Sequence, residues 1–251
     1  MQKTFEVKRH IHTSIANSQM RLDPYGAMRM FQDMTESHSA DLGIDYFTMR
    51  EKSNVFWVIT KMRIHYEKTP VEFEEATVRT WPSAAQRVTC PRYYTVETAG
   101  GARVEARSEW VLLDMEKRTI RRPESTCYPA DFDFCTDTLL DAPYLRLRPD
   151  FSAMEQVMAR KILSSDVDMS HHTNNCQYAR FVLDCFPVSF WDENEVEDFE
   201  LHFLNESREG ETLSICRALL PDGQTLIAGA NEQGKAVFAA ALRLRPAGKR
   251  P

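Results

Sequence analysis

The densest set of chemically able side chains lies in SSDVDMSHHTNN, residues 164–175, which offers Asp166, Asp168, Ser170, His171, His172, Asn174 and Asn175. It runs straight into CQYARFVLDCF, whose apolar spacing predicts a helix from about Thr173 to Phe186. The polar set therefore sits at a helix N-terminus, where unpaired amides and a partial positive charge receive a carbonyl or a developing oxyanion. Such a site suits acyl transfer. A histidine there moves protons near neutral pH if an acid fixes its tautomer, and Asp168 is the expected orienter of His172. Other readings compete. Asp, Ser, Thr and Asn are ordinary capping residues, although a cap accounts for one or two of the seven. Asp and His also ligate metals, but no HxxxH or HxH spacing is present within this cluster. A relay of Ser170, His172 and Asp168 would crowd three members into five residues. Cys176 falls in the first helical turn, where a thiol is activated, or it is a buried packing residue.

The elements that must carry this cluster follow from apolar periodicity. In the first half, a strand-like FEVKRHIH leads to a turn at Asp23, Pro24, Tyr25 and Gly26. Met28, Met30, Phe31, Met34 and Leu42 then predict a helix of about four turns closed near Gly43. The methionine stripe either lines an adaptable cavity or is plain core. NVFWVITKMRIHYE, EEATVRTW, QRVTCPRYYTVE and ARVEARSEWVLLD read as antiparallel strands, punctuated at Pro82, Ala99-Gly100-Gly101 and Glu116-Lys117. From Cys127 to Ser152 the period is lost among Pro129, Pro143 and Pro149, which marks a connection. Beyond it the order recurs: a strand around Val157 to Leu163, the polar turn, the second helix, and strands in VEDFELHFL, TLSICRALL, TLIAGANE and AVFAAALRLR. The expectation is an α+β chain with one supersecondary plan used twice. Strand, helix, then twisted antiparallel meander is the plan of the hotdog fold, in which a sheet wraps a central helix. The expected boundaries are 1–126, a connecting segment 127–152, and 153–251.

Composition narrows the function classes. At 251 residues, 43% of them hydrophobic, the chain has material for one large core or two small ones. No run approaches the roughly 18 apolar residues of a membrane span, and the opening segment lacks a signal-peptide core, so no membrane insertion and a cytoplasmic location are expected. Six scattered cysteines without a CxxC pair read as reduced thiols. A net charge of -6 argues against nucleic acid. An acidic partner still has local docking points in Lys117, Arg118, Arg121 and Arg122, and in Arg146 and Arg148, unless these are simply solvated basic turns.

These residues resemble the acyl-ACP thioesterases of plants and bacteria, which are tandem hotdogs. The signature of that family near the second helix is Asp, any residue, Asn, any residue, His, any residue, Asn-Asn, and Asp168, Ser170, His172, Asn174 and Asn175 stand in those positions. FQDMTESHSADLGIDY, VFWVITKMRIHYEKTP, the TW of VRTWP and RSEWVLLDMEKRTIRRP extend the resemblance from about residue 3 to 244. The family also carries a glutamate after the second helix, followed by cysteine in many plant members. In FLNESREGE this makes Glu206 the acid and puts Ser207 in the place of the cysteine.

The resemblance implies hydrolysis of the thioester of fatty acyl chains on acyl carrier protein, releasing free fatty acid in fatty acid biosynthesis, with no cofactor or metal. Without a thiol at 207, it implies attack by water with Glu206 as general base, Asp168 and His172 orienting water or carbonyl, and helix-start amides holding the oxyanion. Ser170 replaces an amide having two donors and an acceptor by a single hydroxyl. Loss of a transition-state donor costs on the order of 10²-fold in rate or more unless a water or His171 fills the gap. With no histidine in RLDPYGAM, the first half is assigned to the acyl chain, with Met28, Met34, Phe56 and Trp57 as cavity walls and Asn174 and Asn175 also touching substrate. An acyl-CoA thioesterase and a non-catalytic acyl-thioester-binding module are the alternatives. Acyl chain length, and monomer against homodimer, are left open.

Overall fold

A methionine-rich face and a sharp entry turn create the first helix. In the computed structural model, which describes residues 2–129 and 131–248, α1 (Pro24–Asp41) buries Met28, Met30, Phe31 and Met34. The Asp23 carboxylate accepts the Gly26 N–H at 2.8 Å, and Pro24 opens the first turn with its preset φ. Gly26 is required by close approach: an added Cβ would stand 1.9 Å from the Ile15 carbonyl oxygen. Gly43, at φ +66°, ends the element as its spacing predicts.

Around this helix run β1 (Phe5–His10), β2 (Val55–Lys68), β3 (Glu75–Pro82), β4 (Thr89–Thr98), β5 (Arg103–Asp114) and the short β6 (Ile120–Arg121). A further helix, α2 (Tyr46–Ser53), lies where no helix is expected. Its start is set by Asp45, which accepts the Phe47 and Thr48 N–H groups, and Asn54 stops it in the left-handed region. The second half contributes β7 (Glu155–Lys161), α3 (Asn175–Leu183), α4 (Val188–Glu193), β8 (Asn194–Phe203), β9 (Thr212–Leu219), β10 (Thr225–Ala230) and β11 (Ala236–Pro246). α3 is shorter than the predicted Thr173–Phe186. Asn174 is an extended N-cap, and Pro187 restricts the backbone ahead of it, so the chain turns after Asp184 and restarts as α4.

All strands pair antiparallel in one sheet of order β1-β3-β4-β5-β2-β8-β11-β10-β9-β7, with β6 on β5. Read inward from either edge, the two halves have the same strand order, so the chain is a tandem hotdog joined edge to edge at β2 and β8, where Arg63 faces Glu200 and Ile64 faces Phe199. The halves are not separately cored. Phe31 and Met34 of α1 share one buried cluster with Tyr178, Phe181 and Val182 of α3. Between Cys127 and Asp150 the described residues form no helix or strand. This segment is nevertheless strapped across the joint. Arg63 donates to the Ala142 and Pro143 carbonyls at 2.7 Å each, and Leu145 N–H donates to Glu200 at 2.7 Å. Burial alone would raise the Glu200 carboxyl, but His202 and Arg63 hold it below its ordinary value.

Candidate active site

The turn before α3 is built from polar residues that mostly bind one another. Buried Asp166 accepts from Arg160 Nη2 at 2.9 and 3.0 Å and from the Leu163 N–H at 2.9 Å, while its carbonyl takes the Asn174 N–H at 2.9 Å. Asp168 organises the next turn: its N–H donates to the His172 carbonyl at 3.0 Å and its carboxylate accepts the Ser170 N–H at 2.9 Å. The expected contact between the Asp168 carboxylate and the His172 ring is absent among the described residues, because that carboxylate is committed to its own loop. His171 is exposed, with φ +58°, at the tip. Asn174 caps α3, accepting the Cys176 N–H at 2.9 Å, and donates across to Gln32 Oε1 of α1 at 3.3 Å. With the Cys176 amide so occupied, the Asn175 N–H is left without a partner among the described residues.

The acid that meets His172 is Glu206. The loop after β8 is pinned to the polar turn by Thr173, whose N–H donates to the Ser207 carbonyl at 2.8 Å and whose hydroxyl meets Ser207 Oγ at 2.7 Å. On its other side, Leu204 and Asn205 N–H groups converge on the Val237 carbonyl at 2.9 and 3.0 Å. Held from both directions, the loop sets Glu206 Oε2 3.1 Å from His172 Nε2, close enough for ion pairing but out of line for a hydrogen bond. The His172 side chain is 19% exposed and that of Glu206 42%. Arg118, from the β5–β6 turn of the other half, pairs with the same carboxylate and lies over the Phe56 ring at 5.0 Å. Sequence spacing flagged Arg118 only within a basic run. Ser207 is wholly buried, its hydroxyl shared between Thr173 and Tyr178 OH at 2.9 Å, and faces the core instead of a substrate.

Beside this pair a cavity of about 490 Å³ extends into the first half. Asp168, Ser170, Asn174 and Asn175 line one end, and Met28 and Trp57 stand in its walls with Ile44, Ile59 and Trp110. His172 and Glu206 do not line it; they adjoin it through the Asp168–Asn175 turn. Two expected wall residues are misplaced. Met34 points into the shared core, and Phe56 lies under Arg118 on the other face of β2 from Trp57. Gln32, which links α1 to Asn174, carried no signal in the sequence. Cys176 lines the cavity but is buried, which pushes its thiol up to about 12, and its Sγ contacts Gln32 Oε1 at 3.3 Å. A thiol so placed supplies no thiolate near neutral pH.

Comparison with known proteins places the whole architecture. Two family models match, the acyl-ACP thioesterase N-terminal domain over residues 2–127 and the acyl-ACP thioesterase C-terminal domain over residues 152–244. A solved acyl-ACP thioesterase from Bacteroides thetaiotaomicron superposes with a TM-score of 0.87 at 19% identity, covering 97% of this chain and 98% of that one. The 12:0-ACP thioesterase from Umbellularia californica gives 0.85 at 17% identity, covering 98% and 99%. Among curated relatives, oleoyl-acyl carrier protein thioesterase 2, chloroplastic, of Arabidopsis thaliana is 24% identical over 200 residues, 72% of this chain and 53% of that protein. The chain spans about half the length of the curated relatives it matches. With both halves matched in order and the signature turn in place, the chain belongs to the acyl-ACP thioesterase family.

Proposed function

We propose that the protein hydrolyses the thioester of fatty acyl chains carried on acyl carrier protein, releasing the free fatty acid. The observation that carries this reading is the pairing of His172 with Glu206 beside a largely apolar cavity whose walls come mostly from the other half of the chain. Glu206 takes a proton from water as its oxygen attacks the thioester carbon, with His172 orienting that water. The Asn175 N–H receives the developing oxyanion, and collapse of the tetrahedral intermediate expels the carrier thiolate, which recovers the proton. Asp168 and Ser170 hold the turn that presents these groups. The first half, residues 1–126, holds the acyl chain, and 153–251 supplies the chemistry.

The carrier reading rests on charge. Arg118 and Arg121 are already paired with Glu206 and Asp114, but Lys117 and Arg122 are exposed beside them and have no carboxylate partner among the described residues. They are available to steer an acidic carrier toward the mouth. No helix of the described residues is long and apolar enough to cross a membrane, and we assign the reaction to the cytosol or an equivalent compartment. Incubation of the purified chain with acyl-ACP and acyl-CoA of matched chain length tests the reading. Fatty acid release from acyl-ACP that vanishes in Glu206→Ala and His172→Ala supports it. Preference for CoA rejects the carrier, and tight binding without turnover makes the protein an acyl-thioester sensor.

A further inference from the structure

The cavity holds a charge that the hydrolytic chemistry does not use. Arg92 of β4 is 4% exposed and lines the cavity together with Ser39 of α1. Its Nη1 donates to His38 Nδ1 and to Thr80 Oγ1, both at 3.2 Å, and its Nη2 to Ser39 Oγ at a long 3.4 Å. Accepting that bond requires His38 Nδ1 to be unprotonated, which leaves Nε2–H to donate to the Gln2 carbonyl at 3.1 Å. Every protein partner of Arg92 is thus neutral, and no carboxylate pairs with it among the described residues. Two of its five N–H groups, the one on Nε and one on Nη2, have no protein acceptor there either. Buried cations are ordinarily paired, because an uncompensated charge out of water is strongly unfavourable.

Away from the α3 end of the cavity, the polar groups near Arg92 bind one another. Thr35 Oγ1 meets Tyr94 OH at 2.9 Å, Tyr94 OH meets Ser108 Oγ at 3.1 Å, and Trp110 Nε1 donates to that same Oγ at 2.7 Å. Arg92 is the exception, and its depth can be read along α1. Gln32 reaches Asn174 and Cys176 at the start of α3, whereas Ser39, seven residues on, reaches Arg92. At 1.5 Å per helical residue the separation is about 10 Å. An extended chain advances about 1.2 Å per bond, so this distance takes roughly eight bonds.

We propose that Arg92 determines specificity: the acyl chains this cavity takes best carry an oxygen acceptor, hydroxyl or carboxylate, roughly eight bonds beyond the thioester carbonyl, docked on the Arg92 guanidinium beside Ser39. The proposal deepens the thioesterase reading and rests on it for the placement of the thioester end. A methyl terminus at the same depth would face unsatisfied donors, while an oxygen there makes a charge-assisted bond.

The test is titration calorimetry of the intact wild-type chain with nonhydrolysable S-decyl pantetheine and with its counterparts ending in a hydroxyl or a carboxylate. The expected result is binding of at least one polar-ended ligand about tenfold more tightly than the methyl-ended one, the two arms showing which oxygen is preferred. In Arg92→Leu that preference is expected to disappear, and in Ser39→Ala to weaken. Should Arg92→Leu not fold, the wild-type comparison decides alone. Equal or tighter binding of the methyl-ended ligand overturns the proposal, as does failure of all three to bind. Hydrolysis of decanoyl-ACP with a methyl preference would sink this inference and leave the thioesterase reading standing; a polar preference without turnover of any acyl-ACP would do the reverse.

Discussion

Glu206 and Ser207 are adjacent in sequence, yet the structure assigns them opposite experimental signatures. Glu206→Gln keeps the shape and removes the charge. Its ion pair with Arg118 is about half exposed, the two side chains at 42% and 47%, and pairs of that kind are worth about 0–1 kcal/mol. The melting temperature is therefore expected to move by no more than about 2–4 °C. Loss of a general base costs about 10²–10⁴-fold in kcat. Ser207→Ala should do the reverse. The wholly buried hydroxyl serves Thr173 and Tyr178, and removing it leaves the buried Tyr178 OH without a partner, whereas Thr173 retains the Ser207 carbonyl at 3.2 Å. One orphaned buried hydroxyl costs about 1–3 kcal/mol, a fall of several degrees in melting temperature. Its kcat should stay within a few-fold of wild type. Scanning calorimetry beside single-turnover release of fatty acid from acyl-ACP reads both quantities. A Ser207→Ala protein that folds normally but releases nothing would show that the residue in the cysteine's position is the nucleophile after all, and unchanged turnover in Glu206→Gln would move the base elsewhere.

Three further outcomes follow from individual sites. Burial raises the Asp23 carboxyl from 3.8 to about 6, so the native state binds more protons than the unfolded chain between those values and loses stability as pH rises through them. Asp23→Asn keeps the cap without that charge and should stabilise the protein by up to about 3 kcal/mol above pH 6 but not below about pH 4, measured by urea unfolding at both ends. Alkylation near neutral pH should leave most activity, because burial pushes the Cys90 and Cys176 thiols up to about 12; complete loss that substrate prevents and Cys176→Ser reproduces would contradict this. Gly26→Ala forces a methyl to 1.9 Å from a backbone oxygen, which no side-chain rotation relieves, and should cost at least about 1–3 kcal/mol by chemical denaturation.

Local physics wrote much of the architecture into the sequence. The spacing of Met28, Met30, Phe31 and Met34, with Asp23 before and Gly43 after, defines α1 because capping and burial of one face are decided within a few turns. The order of elements along the second half repeats that of the first, and is legible because each strand shows as its own run of alternating or β-branched residues. α2 escaped this reading, since a helix of eight residues capped by Asp45, with Met49 its one buried residue, has too little apolar periodicity to register. The excess of polar residues before α3 was informative about place but not about role. Asp166, Thr173 and Asn174 bind backbone and neighbouring side chains, and their types alone cannot separate that work from catalysis.

What only tertiary structure decided are the relations between residues far apart in the chain. Asp168 was the near and obvious partner for His172, yet its carboxylate turns to the Ser170 amide and Glu206 arrives from beyond the next strand, because the Thr173–Ser207 bonds hold that loop against the turn. Arg118, of the first half, meets Glu206 only through the β2–β8 joint. Arg92, without a local mark in PRYY, became notable once β4 and α1 closed around it and left it no anion. Sequence by itself determined the elements, the repeat and the position of the polar turn, since these depend on interactions spanning a few residues. Which side chains face one another across the cavity was decided by packing of the two halves, since burial, charge compensation and hydrogen-bond satisfaction are properties of the assembled surface.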